Sequence, residues 1–277
     1  MEGFLLVDKP SGLRSRAVVD HFRRIFKTRT GHAGTLDPLA SGLLIILLGN
    51  GTKLSFLIQS LQKEYEGESK LGIISDSFDR EGKTIEDRGE VAVPEELLIR
   101  SMDELTGRIE QIPPPFSAVK VRGMRSYKLA RSGVMVKKRP RMVDVYRFQL
   151  LDYHPPFFRF RALVGKGCYI RSLIYDLGLR LGCGATLWNL RRIRIGPFNI
   201  RDAIGLKANP TPLPITHILE ILPRIDVEPS VIDCLIHGKK VEGDYPDGEL
   251  LYITDGKRKV IGRVKNHYLT TRRVVVA

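Results

Sequence analysis

The chain has 277 residues, of which 43% are apolar, and its 45 Lys and Arg against 31 Asp and Glu give a formal net charge of +14. That composition excludes a disordered or fibrous chain and suffices for one large domain with a small companion, while the cation excess predicts a polyanionic partner. The longest apolar runs, such as LLIILL, fall far short of the ~20 residues of a membrane span, and MEGFLLVDKP leads into no cleavage site, so a cytoplasmic protein without a membrane partner is expected. Cys168, Cys183 and Cys234 form no CxxC pair and the six histidines no HxxxH pair, which predicts neither a disulfide framework nor a metal site.

In chain order, GFLLV reads as a strand and DKPSG as a turn. Ser15 is placed to cap a helix whose apolar positions Val18, Val19, Phe22, Ile25 and Phe26 recur at helical spacing. The loop GHAGTLDPLASGLL follows, residues 31–44, with a single carboxylate, Asp37, among small residues and hydroxyls. By itself that loop is ordinary turn chemistry, since Asp-Pro initiates turns and glycine supplies bends. Next come the buried strand LLIILL, a short amphipathic segment, and the strand EYEGESKLG, in which Tyr65, Gly67, Ser69 and Leu71 share one face.

Pro94 at a helix start and Gly107 past its end frame an acidic helix with Leu97, Leu98, Met102 and Leu105. The Pro113–Pro115 run is loop. Residues 143–151 and 157–164 alternate as an antiparallel pair. YIRSLIYDLGLRLG is a helix with Ile170, Leu173, Ile174, Leu177 and Leu181 on one face, stopping at Gly182. Pro210, Pro212 and Pro214 mark a linker, and short strands run from Leu222 to the end. Strands and helices mixed without regular alternation predict an α+β fold.

The charge is polarised. Lys120 to Arg141 holds nine basic residues and no acid, whereas Asp76 to Glu110 holds eleven acids and five bases. Such a run is either a solvated face or a binding surface. Tyr127 inside it, and the further clusters at Arg191, Arg192 and Arg194 and at Arg272 and Arg273, favour nucleic acid, where phosphates meet cations and bases stack on rings.

Six collinear blocks carry a resemblance: LLVDKPSGLRS, GHAGTLDPLASGLL, KEYEGESKLG, IPPPFSAVKVRGMRSYKLAR, KGCYIRSLIYDLG and LGCGATLWNLRRIRIG. Together they resemble the TruB family of tRNA pseudouridine synthases. The resemblance implies a mixed, largely antiparallel sheet flanked by helices over residues 1–221, with a small PUA-like RNA-binding domain over 222–277 that docks on the larger one. It implies an enzyme that converts the T-loop uridine at tRNA position 55 to pseudouridine, as a monomer in the cytoplasm without a cofactor or an obligatory protein partner. Asp37 matches the family's nucleophile, Arg171 the arginine that pairs with it, and Tyr65 the tyrosine that stacks on the target base.

His32 matches the histidine that holds the flipped nucleotide. Lys9, Lys120, Arg122, Tyr127 and Arg192 are expected on the tRNA-facing side, although Lys9 can also support the motif loop and Arg192 can belong to a basic edge strand. The chain departs from the family pattern at Ser75-Asp76-Ser77, in place of Thr-Asp-Thr, at Arg14 and at Cys168. The Cys168 thiol is either reactive beside Arg171 or buried and inert. Two other readings use the same residues: a guide-RNA-dependent subunit and a tRNA-binding chaperone.

Overall fold

The computed structural model describes residues 1–116, 120–121, 124–125 and 139–276. The larger sheet uses β1 (Gly3–Lys9), β2 (Thr30–His32), β3 (Ser41–Leu48), β4 (Lys63–Leu71), β7 (Gly107–Gln111), β10 (Arg141–His154), β11 (Phe157–Val164), β12 (Ala185–Ile195) and β13 (Phe198–Asn199). Its order is β1-β3-β12-β4-β11-β10-β7, with β2 on β3 and β13 on β12. Every pairing is antiparallel except the short β12–β3 contact. The hairpins β5 (Ile73–Ser75) with β6 (Thr84–Asp87) and β8 (Lys120–Val121) with β9 (Met124–Arg125) stand apart from it. This is the α+β arrangement expected from the sequence.

Strand β3 shows why one segment reads as unbroken hydrophobe. Leu44, Ile46 and Leu48 face one core with Val18, Val19 and Phe22 of α1 (Ser15–Phe26), while Leu43, Ile45 and Leu47 face a second with Leu57 and Ile58 of α2 (Ser55–Ser60). A strand covered on both faces has no polar side to display. The first core also takes Leu98 and Met102 from α3 (Glu95–Asp103) and Leu173, Ile174 and Leu177 from α4 (Ile170–Arg180). Helix α3 ends at Asp103, so Gly107 (φ +104°) opens β7 instead of closing the helix.

The Pro-rich stretch expected as a linker is tied to the sheet. Leu213 exchanges backbone hydrogen bonds with Phe4 at 3.0 and 2.8 Å, and Asp8 N–H donates to Ile204 at 2.9 Å. These contacts cover the outer edge of β1, which would otherwise expose unpaired backbone groups. Strand β12, expected at an edge on one reading, lies between β3 and β4.

Beyond α5 (Thr216–Leu219) the chain forms a five-stranded sheet of β14 (Arg224–Asp226), β15 (Val241–Glu242), β16 (Gly248–Thr254), β17 (Lys259–Lys265) and β18 (Tyr268–Val276), in the order β14-β16-β17-β18-β15. One face packs Leu251, Ile253 and Val260 on Ile232 and Leu235 of α6 (Pro229–Ile236). The other presents Tyr252 and Ile261 to the cluster that holds Phe4, Leu43 and Ile218. A piece this small buries too little of itself to stand alone comfortably, and docking adds the missing apolar contact.

Candidate active site

The motif loop between β2 and β3 is held by backbone-directed bonds. Ser15 Oγ donates to the Leu36 carbonyl at 2.8 Å and accepts from the Leu36 N–H at 2.9 Å. Its expected capping role is therefore not taken: Arg14 is the N-cap, without a side-chain bond. One hydroxyl that can both donate and accept satisfies two buried backbone groups, more than a cap would. Ser11 Oγ reaches the Leu39 carbonyl at 2.7 Å. Leu36 and Leu39 are buried in the first core, so the loop is pinned by apolar anchors on either side of Asp37.

Lys9 lies beneath this loop and is fully buried. Its ammonium donates to the carbonyls of Pro10 (2.9 Å), Leu13 (2.7 Å) and, at longer range, Pro38 (3.4 Å). Burial pushes its pKa down to about 8, Asp37 acting in the opposite direction. Lys9 supports the loop instead of facing a ligand. Arg192 is likewise buried; Nε donates to the Leu43 carbonyl at 2.8 Å and Nη2 to the Gly34 carbonyl at 3.0 Å. It closes the loop from the β12 side. Gly42 belongs to the same contact, because a Cβ there would stand 2.3 Å from the Arg192 carbonyl oxygen, and its φ is +101°. At Gly42 the missing side chain serves the close approach of β3 to β12.

Arg171, the second residue of α4, meets Asp37 across the chain. Its Nε is 2.9 Å from Asp37 Oδ2, with the arginine side chain 5% exposed and the aspartate 40%. The contact is an ion pair by distance only, since the Nε–H makes no aligned hydrogen bond. The rest of the guanidinium is fixed by Ser77 O (3.0 Å to Nη1), Asp79 Oδ2 (3.2 Å to Nη1) and Phe116 O (2.9 Å to Nη2). Asp79 is itself buried and accepts from Ser77 Oγ at 2.6 Å and from the Glu81 N–H at 3.1 Å. One guanidinium thus carries two carboxylates, one buried and one open to solvent. Asp79 was not singled out in the sequence; the available signal was the hydroxyl pair Ser75 and Ser77, both of which donate to it.

The pair stands between two cavities. The first, about 390 Å³, is lined by His32, Asp37, Tyr65, Arg171 and Arg192, together with Lys63 and Lys166. Tyr65 reaches it from β4, where it pairs with Ala162 and Arg192. Neither Lys63 nor Lys166 is among the site residues expected from the sequence. The Lys63 pKa is pushed down to about 8, first by burial and then by Arg192 and Lys166. His32 is pulled below its ordinary value by burial, with help from Arg192 and Arg16, which favours its neutral form. The second cavity, about 350 Å³, is acidic, with Asp76, Asp79 and Glu81 beside Asp37, Arg171 and Phe116.

The structure therefore brings Asp37, Tyr65, Arg171, His32 and Arg192 to one cavity. Lys120 is placed in β8, whereas Arg122 and Tyr127 lie outside the described residues. The Cys168 thiol, also on the cavity wall, is pushed up to about 12 by burial against a weaker opposing contact from Gln111, which disfavours the reactive thiolate. Among the described residues no cluster of His, Cys, Asp or Glu is placed to hold a metal ion, and no helix is long and apolar enough to cross a membrane.

Residues 23–170 match the description "TruB family pseudouridylate synthase (N terminal domain)" and residues 171–208 match "tRNA pseudouridylate synthase B C-terminal domain". The chain belongs to the TruB family of pseudouridylate synthases. Curated relatives named "tRNA pseudouridine synthase B" include those of Clostridium acetobutylicum, 38% identical over 95% of this chain and 94% of theirs, and of Aquifex aeolicus, 36% identical over 100% of both. Among solved structures, a chain of the "Cbf5-Nop10-Gar1 Complex" superimposes with a TM-score of 0.76 at 28% identity, covering 99% of this chain and 85% of that one. A second, from an "H/ACA RNP bound to a substrate RNA containing 2'-deoxyuridine", gives 0.74 at 26% identity, covering 99% and 85%. In this TruB-family chain the boundary between the two matched segments, at residue 170, falls beside Arg171, so the cavity draws on both.

Proposed function

We propose that this chain isomerises uridine to pseudouridine in tRNA, at position 55 of the T loop, with Asp37 as the nucleophile. The observation that carries the reading is the Asp37–Arg171 pair, an accessible carboxylate fixed by a buried guanidinium at the wall of a cavity that also contains Tyr65. The substrate class follows from the family and from relatives named for tRNA, and the net charge of +14 suits a phosphate-rich partner.

The reaction breaks the bond from uracil N1 to ribose C1′ and makes one from C5 to C1′. C5 gives up a proton and N1 gains one, so substrate and product contain the same atoms and electrons, and no redox cofactor is called for. The carboxylate can add to C1′ or to the base ring, and either adduct collapses to the same product. Arg171 supplies position, because a nucleophile acts at full rate only when it is held close to its target. Tyr65 offers a ring for the extruded base to stack on, which offsets part of the few kcal/mol of unstacking. His32 lines the same cavity.

In this reading residues 222–277 form a PUA-like RNA-binding domain, Lys120, Arg122 and Tyr127 contribute to the tRNA-facing wall, and the enzyme works as a monomer without guide RNA. The 38% identity to a relative named "tRNA pseudouridine synthase B", against 28% and 26% to the chains from the "Cbf5-Nop10-Gar1 Complex" and the "H/ACA RNP", supports the reading without guide RNA.

The test uses purified protein and an unmodified tRNA transcript, with no added cofactor or guide, followed by mapping of pseudouridine. Modification at the T-loop position and its abolition in Asp37→Asn, with tRNA affinity nearly unchanged, are expected. Modification elsewhere would discard the substrate position, and full activity of Asp37→Asn would discard the mechanism.

A further inference from the structure

Phe78 sits at the centre of the turn that feeds Arg171. Its φ is +65°, in the left-handed region that a bulky side chain avoids because its Cβ crowds the following carbonyl. The bend has a visible consequence. The residue before it, Ser77, turns its carbonyl to Arg171 Nη1 at 3.0 Å, and the residue after it, Asp79, brings its carboxylate to the same nitrogen at 3.2 Å. The carbonyl on one side of Phe78 and the carboxylate on the other thus meet at one nitrogen, across the bend.

Glycine would make that bend without strain. Phenylalanine in its place means that the ring offsets what the backbone loses, and the ring has a defined partner. Phe78 stacks on Tyr175 with centroids 3.9 Å apart and planes 12° from parallel. Tyr175 follows Arg171 by four residues in α4 and therefore lies on the same helix face one turn along. The turn is fixed by its backbone as well, with Phe78 N–H donating to Ser75 O and Phe78 O accepting from Leu187 N–H, both at 3.2 Å.

We infer that Phe78 and Tyr175 are positioning residues for Asp37: their stacked rings clamp the Ser77–Asp79 turn to α4, so that the turn's two acceptors hold the Arg171 guanidinium at the angle that orients the nucleophile. The inference rests on the proposed role of Asp37. Neither ring lines the cavity that takes the target nucleotide in that proposal, so their effect is on the chemical step and not on binding.

The experiment compares kcat, KM for tRNA transcript and Tm across Phe78→Gly, Phe78→Tyr and Tyr175→Phe. Phe78→Gly keeps the bend easy and removes the ring; kcat falls about 10²-fold, the effect of a nucleophile displaced by an ångström, with KM unchanged. Phe78→Tyr and Tyr175→Phe preserve the stack and retain wild-type kcat. A Phe78→Gly enzyme within twofold of wild type, a loss confined to KM, or ring-preserving variants as slow as Phe78→Gly would each overturn the inference. If Phe78→Gly does not fold, Tyr175→Leu removes the stack without touching the turn, and the same drop in kcat is expected; unchanged kcat overturns the idea. Asp37→Asn run alongside separates the two claims: an inactive Asp37→Asn with a normal Phe78→Gly sinks only this inference, whereas an active Asp37→Asn sinks the proposed function.

Discussion

Replacing Arg171 by lysine keeps the charge beside Asp37 and removes the fork. The guanidinium donates to the carbonyls of Ser77 and Phe116 at 3.0 and 2.9 Å and forms ion pairs with Asp37 Oδ2 at 2.9 Å and Asp79 Oδ2 at 3.2 Å. An ammonium donates from a single point and cannot span them, so at least one buried acceptor loses its donor, at about 1–3 kcal/mol. Asp79 retains Ser77 Oγ and the Glu81 N–H, which keeps the total near 2 kcal/mol, or roughly 4–8 °C in Tm for a chain of this size.

The catalytic loss is expected to be larger. With Asp37 no longer fixed, a displacement of order 1 Å lowers kcat about 10²-fold, equivalent to about 2.7 kcal/mol. Because C5 gives up its hydrogen as the new bond forms, tritium release from tRNA labelled at uridine C5 follows the chemistry directly, and a single-turnover format removes product release from the rate. A folded Arg171→Lys enzyme with wild-type single-turnover rate, or one whose loss lies wholly in tRNA binding, would refute the argument that the fork sets the nucleophile.

Ser15→Ala strands both the N–H and the carbonyl of Leu36; urea unfolding should show a loss of about 1–3 kcal/mol, accompanied by lower kcat because the loop bearing Asp37 loosens, and an unchanged midpoint would mean that the tether is idle. Lys9 gives a pH signature. Its pKa is about 8 in the folded chain against 10.5 for an ordinary lysine, so between those values the unfolded chain binds the extra proton and stability rises with pH. The contribution is complete above the unfolded value and is lost as pH falls through the folded one. The stability of wild type relative to Lys9→Met should therefore grow by about 2 kcal/mol from pH 8 to pH 10, read from denaturant midpoints at each pH; a difference independent of pH would contradict the depressed pKa.

Much of this protein is legible without coordinates because local spacing reports local burial. The unbroken LLIILL run follows from a strand covered on both faces, and the two-faced EYEGESKLG strand and the apolar face of the helix carrying Arg171 follow from periods of two and 3.6. The motif loop and its single aspartate are equally visible, being contiguous in sequence. Contacts between distant residues have no such signature. That Ser15 binds Leu36 instead of capping its helix, and that Lys9 and Arg192 are struts beneath the loop, depend on which backbone carbonyls lie within reach after folding, up to 158 positions away.

Asp79 shows the division most clearly. Its local sequence offers no more than the nearby hydroxyls Ser75 and Ser77, and it is the meeting of its turn with a helix some ninety positions later that makes it the buried partner of Arg171. Periodicity determines which face of an element is buried. Only tertiary structure decides which buried polar groups satisfy one another, because that pairing is set by the packing of elements and not by their order in the chain.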